Sequence, residues 1–130
     1  MIVVDASALV EFLLQSSAAG AVEQALEGHD LFAPELLDAE ALSALVGYHK
    51  RGILGAADVE RALSDLLDAR VARVAHAPLV WAAWRRSAAL SAYDALYVAL
   101  AAELGCGLLT ADRRLARAQD LGIPLTLIGG

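Results

Sequence analysis

The chain alternates short runs of hydrophobic residues with longer stretches in which apolar positions recur at the helical period. The short runs are rich in Val, Ile and Leu and are bounded by Gly, Pro or Asp, as is typical of strands covered on both faces. Because such runs alternate with helical stretches, the pattern favours an α/β fold with a parallel central sheet. The predicted strands are residues 2–4, 30–33, 71–75, 107–110 and 124–128.

Helices are predicted between and after these strands. In residues 35–50, for example, Leu37, Ala41 and Leu45 recur every four residues and therefore lie on one helix face. The sequence thus predicts one α/β domain over residues 1–130, with a parallel central sheet of about four or five short strands flanked by helices. The predicted helices are residues 6–14, 17–27, 35–50, 56–69, 78–90, 93–104 and 112–121.

Composition narrows the class of protein further. A chain of 130 residues is long enough to fold as one domain without a disulfide or a structural metal. Its one cysteine, Cys106, and three histidines without paired spacing exclude zinc-finger ligand sets and fit a reducing, cytoplasmic setting. The sequence has no long apolar run and no basic start, so we expect neither a membrane span nor a signal peptide.

Charge and hydrophobicity bear on the partners of the chain. The formal net charge of −6 disfavours binding of nucleic acid by the whole surface. Bound metal ions or a local strip of basic residues would still make the electrostatic potential positive at one site. Hydrophobic residues make up 58% of the chain, and Trp81 and Trp84 favour core or interface packing over base stacking. We therefore expect an apolar surface that a partner protein or a second copy covers.

Four carboxylates stand at positions where a site can form. Asp5 directly follows the first predicted strand and Asp112 follows the fourth, and ligands of parallel sheets bind beyond such strand ends. Asp94 lies in the first turn of its predicted helix, and Glu40 lies on a helix face that is otherwise apolar. Hard oxygen ligands of this kind suit Mg²⁺ or Mn²⁺, and two such ions would balance the four charges.

Each of these carboxylates also has a purely structural interpretation. Ser91 and Asp94 have the spacing of a helix capping box. Asp5 and Asp112 are placed to cap the helices that follow them, and Glu40 fits a solvated helix position. The cluster favours a site, because Asp5 and Glu40 adjoin apolar runs in which an unpaired charge is expensive to bury.

Four further side chains are auxiliary candidates. Ser7 and Thr110 each lie two residues from a site aspartate, where a hydroxyl either binds a metal-bound water or phosphate or caps a helix. Arg113 and Arg114 begin the helix that follows Asp112, where they either meet a phosphate backbone or form a solvated helix face.

Four stretches of the chain carry a more specific signal. They are MIVVDASAL at residues 1–9, APELLDAEALSAL at 33–45, SAYDALYVALA at 91–101 and LLTADRRL at 108–115. In this order and at this spacing they resemble the PIN-domain nucleases, and within that family they are most similar to the VapC-type toxins of bacterial toxin–antitoxin pairs. The resemblance covers the whole chain.

The resemblance implies a metal-dependent endoribonuclease that uses Mg²⁺, for which Mn²⁺ substitutes, with one or two ions per site. By their positions in the matching stretches, Asp5, Glu40, Asp94 and Asp112 would be the catalytic, metal-binding set. Metal-activated water would then hydrolyse the RNA phosphodiester bond. The resemblance also implies a homodimer and a cognate antitoxin protein that blocks the acidic pocket.

The sequence departs from the PIN-nuclease pattern at one place, and two alternative functions stay open. Arg113, Arg114 and Leu115 stand where some PIN nucleases carry a further acidic or amide residue, so the first ion is better supported than the second. A catalytically silent RNA- or protein-binding module of the same fold would retain the carboxylates without turnover. A receiver-like phosphoacceptor normally needs a nearby lysine, and Lys50 is about 15 Å along its helix from Glu40 at 1.5 Å per residue.

Overall fold

The computed structural model describes residues 1–118 and 120–129. Its strands are β1 (Ile2–Val4), β2 (Leu31–Pro34), β3 (Val71–Val74), β4 (Gly107–Thr110) and β5 (Leu125–Leu127). Within the described residues they form one five-stranded sheet in the order β3-β2-β1-β4-β5, and every neighbouring pair is parallel. The predicted α/β fold with a parallel central sheet is confirmed, and each strand begins and ends within one residue of its predicted bounds.

Helices flank this sheet, and a 3₁₀ turn at Ala77–Leu79 precedes the fifth of them. Two of them, α3 (Leu36–Lys50) and α6 (Ala92–Leu104), carry Glu40 and Asp94. None of the helices in the described part of the chain is long and apolar enough to cross a lipid bilayer. The helices are α1 (Ala6–Leu13), α2 (Ala19–Leu26), α3 (Leu36–Lys50), α4 (Ala56–Asp68), α5 (Val80–Trp84), α6 (Ala92–Leu104) and α7 (Arg113–Ala116).

The helix predicted at residues 78–90 is wrong in its length. Pro78 lies in the 3₁₀ turn, and α5 ends at Trp84. Beyond that point the Ser87 hydroxyl donates to the Trp84 carbonyl at 2.7 Å, and the Arg86 guanidinium donates to the Ala82 carbonyl at 3.0 Å. Side chains thus occupy carbonyl oxygens that another helical turn would use, and this competition ends the helix.

The helix predicted at residues 112–121 is also shorter than expected. Asp112 caps α7 from outside, and the helix ends at Ala116. Asp120 has a φ of +58°, a left-handed backbone conformation that cannot continue a right-handed helix. Gln119, which the prediction included, lies outside the described residues.

The strand order creates a crevice at the centre of the sheet. The chain passes from β1 outward to β2 and β3, and it later places β4 and β5 on the opposite side of β1. In parallel sheets, ligands bind beyond the carboxyl ends of the two strands at which the order reverses. Val3, Val4 and Leu109 of these central strands are fully buried, so the crevice has a rigid floor.

Arg73 of β3 links the strand to two helices. Its guanidinium donates to the carbonyl oxygens of Leu66 (2.8 Å) and Ala69 (3.1 Å) at the end of α4, and to that of Val71 (2.9 Å). It also pairs with Asp38 of α3 at 3.0 Å. The Arg73 side chain is only 20% exposed, so its charge is largely shielded from water and these partners compensate for that loss.

We expect the substitution Arg73→Met to lower the free energy of unfolding by about 2–4 kcal/mol, because it removes a charged donor from three carbonyl oxygens and from the Asp38 carboxylate. Urea denaturation followed by circular dichroism measures the change. Arg61→Met is the control, since its ion pair with Asp58 is exposed at 3.7 Å and is worth less than ~1 kcal/mol. Equal losses in both variants would contradict the structural role of Arg73.

Candidate active site

Asp5 lies at the carboxyl end of β1 and begins α1. Its backbone amide donates to the Leu109 carbonyl at 3.0 Å, and its side chain caps α1 by accepting the Ala8 amide at 3.1 Å. The residue is only 5% exposed. Burial raises the pKa of Asp5 above the ordinary value, hydrogen bonds from Ser7 and Thr110 oppose that rise, and the charge of Asp112 adds to it.

Two hydroxyl groups connect Asp5 to the end of β4. Ser7 donates to one carboxylate oxygen of Asp5 at 2.6 Å and accepts the Ala111 amide at 2.9 Å. Thr110 donates to the other oxygen at 2.5 Å and accepts the Asp112 amide at 3.0 Å. These four bonds fix the Asp5 carboxylate and tie the two strand ends of the crevice together.

Asp94 and Asp112 come from different elements and meet at one guanidinium. Asp112 caps α7 by accepting the amides of Arg114 (2.8 Å) and Leu115 (3.4 Å). Nη2 of Arg114 lies 3.2 Å from Oδ2 of Asp94 and 3.2 Å from Oδ2 of Asp112. Although burial acts to raise the pKa of Asp112, the hydrogen bonds and the positive charge of Arg114 hold it below the ordinary value.

Glu40 approaches the same crevice from the second turn of α3. Burial raises the pKa of its carboxyl, the nearby Tyr97 hydroxyl lowers it, and the negative charges of Asp5 and Asp94 raise it again. Glu40 therefore lies within electrostatic range of two of the other three carboxylates. A cavity of about 290 Å³ beside it is lined by Ser7, Glu40, Ala111 and neighbouring residues of α1 and α3.

The donor atoms at this crevice suit a hard divalent cation. They are carboxylate and hydroxyl oxygens, which Mg²⁺ and Mn²⁺ prefer over sulfur or imidazole. Over residues 1–118 and 120–129, no three His, Cys, Asp or Glu side chains are already close enough together to hold one ion. Asp94 and Asp112 are instead engaged by Arg114. Binding of an ion therefore requires side chains to rotate, and the assignment of metal ligands stays a prediction.

The two arginine candidates differ in what they contact. Arg114 reaches the carboxylates, whereas the guanidinium of Arg113 donates to the Gly129 carbonyl at 3.1 Å. Sequence reasoning missed Tyr97, whose buried hydroxyl has no hydrogen-bond partner of normal geometry among the described residues. Burial, and then the adjacent Glu40 charge, raise the pKa of Tyr97. The signal was present in the sequence, because Tyr97 is three residues after Asp94 and so shares its helix face.

We expect the substitution Asp5→Asn to remove a pH-dependent loss of stability from the metal-free protein. Because the pKa of Asp5 is raised in the folded chain, the folded state loses stability as pH rises from 3.8, the ordinary value, through the raised pKa. Asparagine cannot ionise and escapes this loss. Urea unfolding in EDTA should show a difference that grows between pH 4 and pH 8, whereas a difference independent of pH would mean that ionisation of Asp5 is not its cause.

Comparison with known proteins places the whole chain in one family. The family model described as PIN domain matches residues 2–121. The chain is 42% identical to Ribonuclease VapC9 of Mycobacterium tuberculosis over 128 residues, 98% of each chain. It is 44% identical to Ribonuclease VapC3 of the same species over 118 residues, 90% of this chain and 86% of that protein.

Solved structures agree on the fold. A protein from Pyrobaculum aerophilum matches with a TM-score of 0.66 at 27% identity, over 95% of this chain and 82% of the other. VapC20 of Mycobacterium tuberculosis, described as a sarcin-ricin loop cleaving toxin, matches with a TM-score of 0.66 at 17% identity, over 89% and 93%. Family model, relatives and fold agree, and the chain therefore belongs to the PIN-domain family, among its VapC ribonucleases.

Proposed function

We propose that this chain is a divalent-metal-dependent endoribonuclease and the toxin of a toxin–antitoxin pair that acts in the cytoplasm. The observation that carries the proposal is the arrangement around Asp5: a buried, hydrogen-bonded carboxylate at the strand-order reversal, with Asp112, Asp94 and Glu40 around it. Such a concentration of negative charge is unfavourable without cations. The identity to named VapC ribonucleases over nearly the whole chain supports RNA as the substrate.

The proposed chemistry assigns a task to each side chain. A bound Mg²⁺ or Mn²⁺ would supply positive charge to the scissile phosphate and lower the pKa of the attacking water. Asp5, Asp94 and Asp112 would hold the ion, and Glu40 would bind it from α3. Ser7 and Thr110 would hold the Asp5 carboxylate in position through the bonds they already make. Arg113 and Arg114 are the auxiliary candidates for contact with RNA phosphates.

The experiment that tests this function is cleavage of total bacterial RNA by the purified chain with Mg²⁺, with Mn²⁺ and with EDTA. We expect fragments with either metal, none with EDTA, and recovery when the metal is added back. Cleavage that persists in EDTA would contradict metal dependence. A folded, metal-binding chain that cuts no RNA would favour the silent binding module instead.

A groove formed by α1, α2 and the first residues of β2 and β3 supports the proposed antitoxin partner. It has a volume of about 600 Å³ and is lined by the partly exposed side chains of Phe12, Leu26 and Leu31, by the buried Leu9, and by charged residues. An apolar groove of this kind fits the apolar face of an amphipathic helix. Two solved structures with the same fold are described as VapBC2 of Rickettsia felis and as FitAB, each bound to a DNA fragment. We propose that the antitoxin of this chain lies in the groove.

A second apolar surface supports the proposed homodimer. Val80, Trp81, Trp84 and Tyr93 are each more than half exposed. Three of them, Val80, Trp84 and Tyr93, line a groove of about 270 Å³ between α5 and the start of α6. The groove has no charged lining residue among those described. It therefore contains no basic side chain that could pair with the phosphates of a nucleic acid. A second copy of the same apolar face is the occupant we propose.

We expect the substitution Trp84→Asp to dissociate this homodimer, raising its dissociation constant at least ~30-fold, because loss of a central aromatic anchor removes about 2 kcal/mol or more. Light scattering after size exclusion at micromolar concentration measures the mass. Ile53→Asp is the control, since Ile53 is an equally exposed apolar residue (62%) in the α3–α4 loop. Dissociation by both substitutions, or by neither, would contradict this interface.

A further inference from the structure

Arg114 occupies the position of a cation in the acidic site. One nitrogen of its guanidinium bridges Oδ2 of Asp94 and Oδ2 of Asp112, at 3.2 Å from each. These two oxygens belong to different elements, α6 and the start of α7, and Arg114 is what joins them. Because arginine stays protonated at any physiological pH, this positive charge is permanent.

An ion and the guanidinium compete for the same oxygens. Asp94 and Asp112 would hold a divalent ion through carboxylate oxygens, and one oxygen of each now contacts the Nη2 atom of Arg114. A bound ion would bring further positive charge beside this guanidinium, and two cations in contact repel. Binding of a divalent ion by both carboxylates therefore requires Arg114 to leave.

The Arg114 side chain is only weakly held in its present position. It is 72% exposed, so little packing holds it, and its two ion pairs are of the kind that solvent weakens. Its neighbour Arg113 is instead directed to the Gly129 carbonyl. A released guanidinium at the rim of the acidic crevice has the planar, forked geometry that binds phosphate oxygens in pairs.

We propose that Arg114 exchanges between two partners: it neutralises Asp94 and Asp112 in the metal-free chain, and on metal binding it moves to an RNA phosphate at the edge of the site. The proposal rests on the proposed ribonuclease function. It adds a competition between Arg114 and the metal ion for the carboxylates of Asp94 and Asp112. Arg114 then weakens metal binding in the free protein and strengthens substrate binding in the loaded one. The same residue therefore affects the two affinities in opposite directions.

The test compares Arg114→Gln with Arg117→Gln in the 130-residue chain. Arg117 is an exposed arginine that follows α7, so its variant removes the same charge from the same region without touching the carboxylates. Mn²⁺ binding without RNA is measured from the electron paramagnetic resonance signal of the free ion. We expect Arg114→Gln to bind Mn²⁺ about two- to tenfold more tightly than the wild type, since it removes two exposed ion pairs, and Arg117→Gln to match the wild type.

RNA cleavage at saturating Mn²⁺ tests the second half of the proposal. We expect kcat/KM of Arg114→Gln to fall about tenfold, and its logarithm to depend less steeply on the logarithm of salt concentration, by ~0.7 for the loss of one contact to a single strand. Mn²⁺ affinity of Arg114→Gln no higher than that of Arg117→Gln would overturn the competition. Equal kcat/KM in the two variants would overturn the transfer to phosphate.

Failure of the proposed function would look different. A wild-type chain that binds Mn²⁺ but cleaves no RNA would overturn the ribonuclease and the phosphate contact together. Tighter Mn²⁺ binding by Arg114→Gln in that case would still support the competition at Asp94 and Asp112.

Discussion

Replacing Asp94 with asparagine is expected to lower RNA cleavage at least about 100- to 1,000-fold, the range for loss of one group that acts on transition-state charge. In the proposed site Asp94 supplies a full negative charge to the metal, and the amide that replaces it is neutral. The substitution keeps the size of the side chain and the hydrogen bond from the residue 94 backbone amide to the Ser91 hydroxyl at 3.2 Å. Initial rates on a defined RNA with Mg²⁺ measure the loss.

A matched substitution separates this effect from a general loss of charge. Asp65→Asn removes one carboxylate from the exposed face of α4, away from the crevice, and should leave cleavage within about twofold of the wild type. Circular dichroism should give the same spectrum for both variants. If Asp94→Asn retained cleavage close to that of Asp65→Asn, the assignment of the site would be wrong.

Thr110→Val is expected to lower both stability and activity, although valine has nearly the same size and shape as threonine. The Thr110 hydroxyl is fully buried, donates to Asp5 and accepts from the Asp112 amide. Loss of the hydroxyl leaves one carboxylate oxygen of Asp5 and the Asp112 amide without the partner they have now, at about 1–3 kcal/mol each. We expect the free energy of unfolding to fall by ~2 kcal/mol or more and cleavage to fall about 10- to 100-fold, as for other residues that orient metal ligands.

The neighbouring strand provides the control for this prediction. Thr126 of β5 is exposed, and its replacement by valine should change the free energy of unfolding by less than ~0.5 kcal/mol. Urea denaturation and cleavage rates are measured on both variants. Similar stabilities of the two valine variants would mean that the Thr110 hydroxyl does not hold the crevice together.

Much of the site could be predicted because strand ends are visible in the sequence. Asp5 follows three apolar residues, and Asp112 follows a Leu-Leu-Thr run, so both belonged at the carboxyl end of a strand. That β1 and β4 are neighbours could not be read from hydrophobic pattern, because every buried strand looks alike. The pairing of Val3 with Leu108 is what brings these two aspartates into one crevice.

The contacts that individual side chains make were harder to predict than the helix or strand on which each residue lies. Arg113 and Arg114 are equivalent by sequence, yet only Arg114 reaches Asp94 and Asp112, because adjacent residues of a helix point in directions about 100° apart. The end of α5 at Trp84 was missed for a similar reason. It depends on where the Ser87 hydroxyl turns, and periodicity of apolar residues contains no information on that choice.

The hydroxyl bond from Thr110 to Asp5 joins residues 105 positions apart, and this separation affects when the chain becomes active during its synthesis. At about 5–20 residues per second, the ribosome polymerises β4 some 5–20 s after Asp5. Until then the Asp5 carboxylate has no partner on β4, and Asp112 does not yet exist. The proposed site therefore cannot be complete in a growing chain until residue 112 has been made, and we expect no nuclease activity before that point.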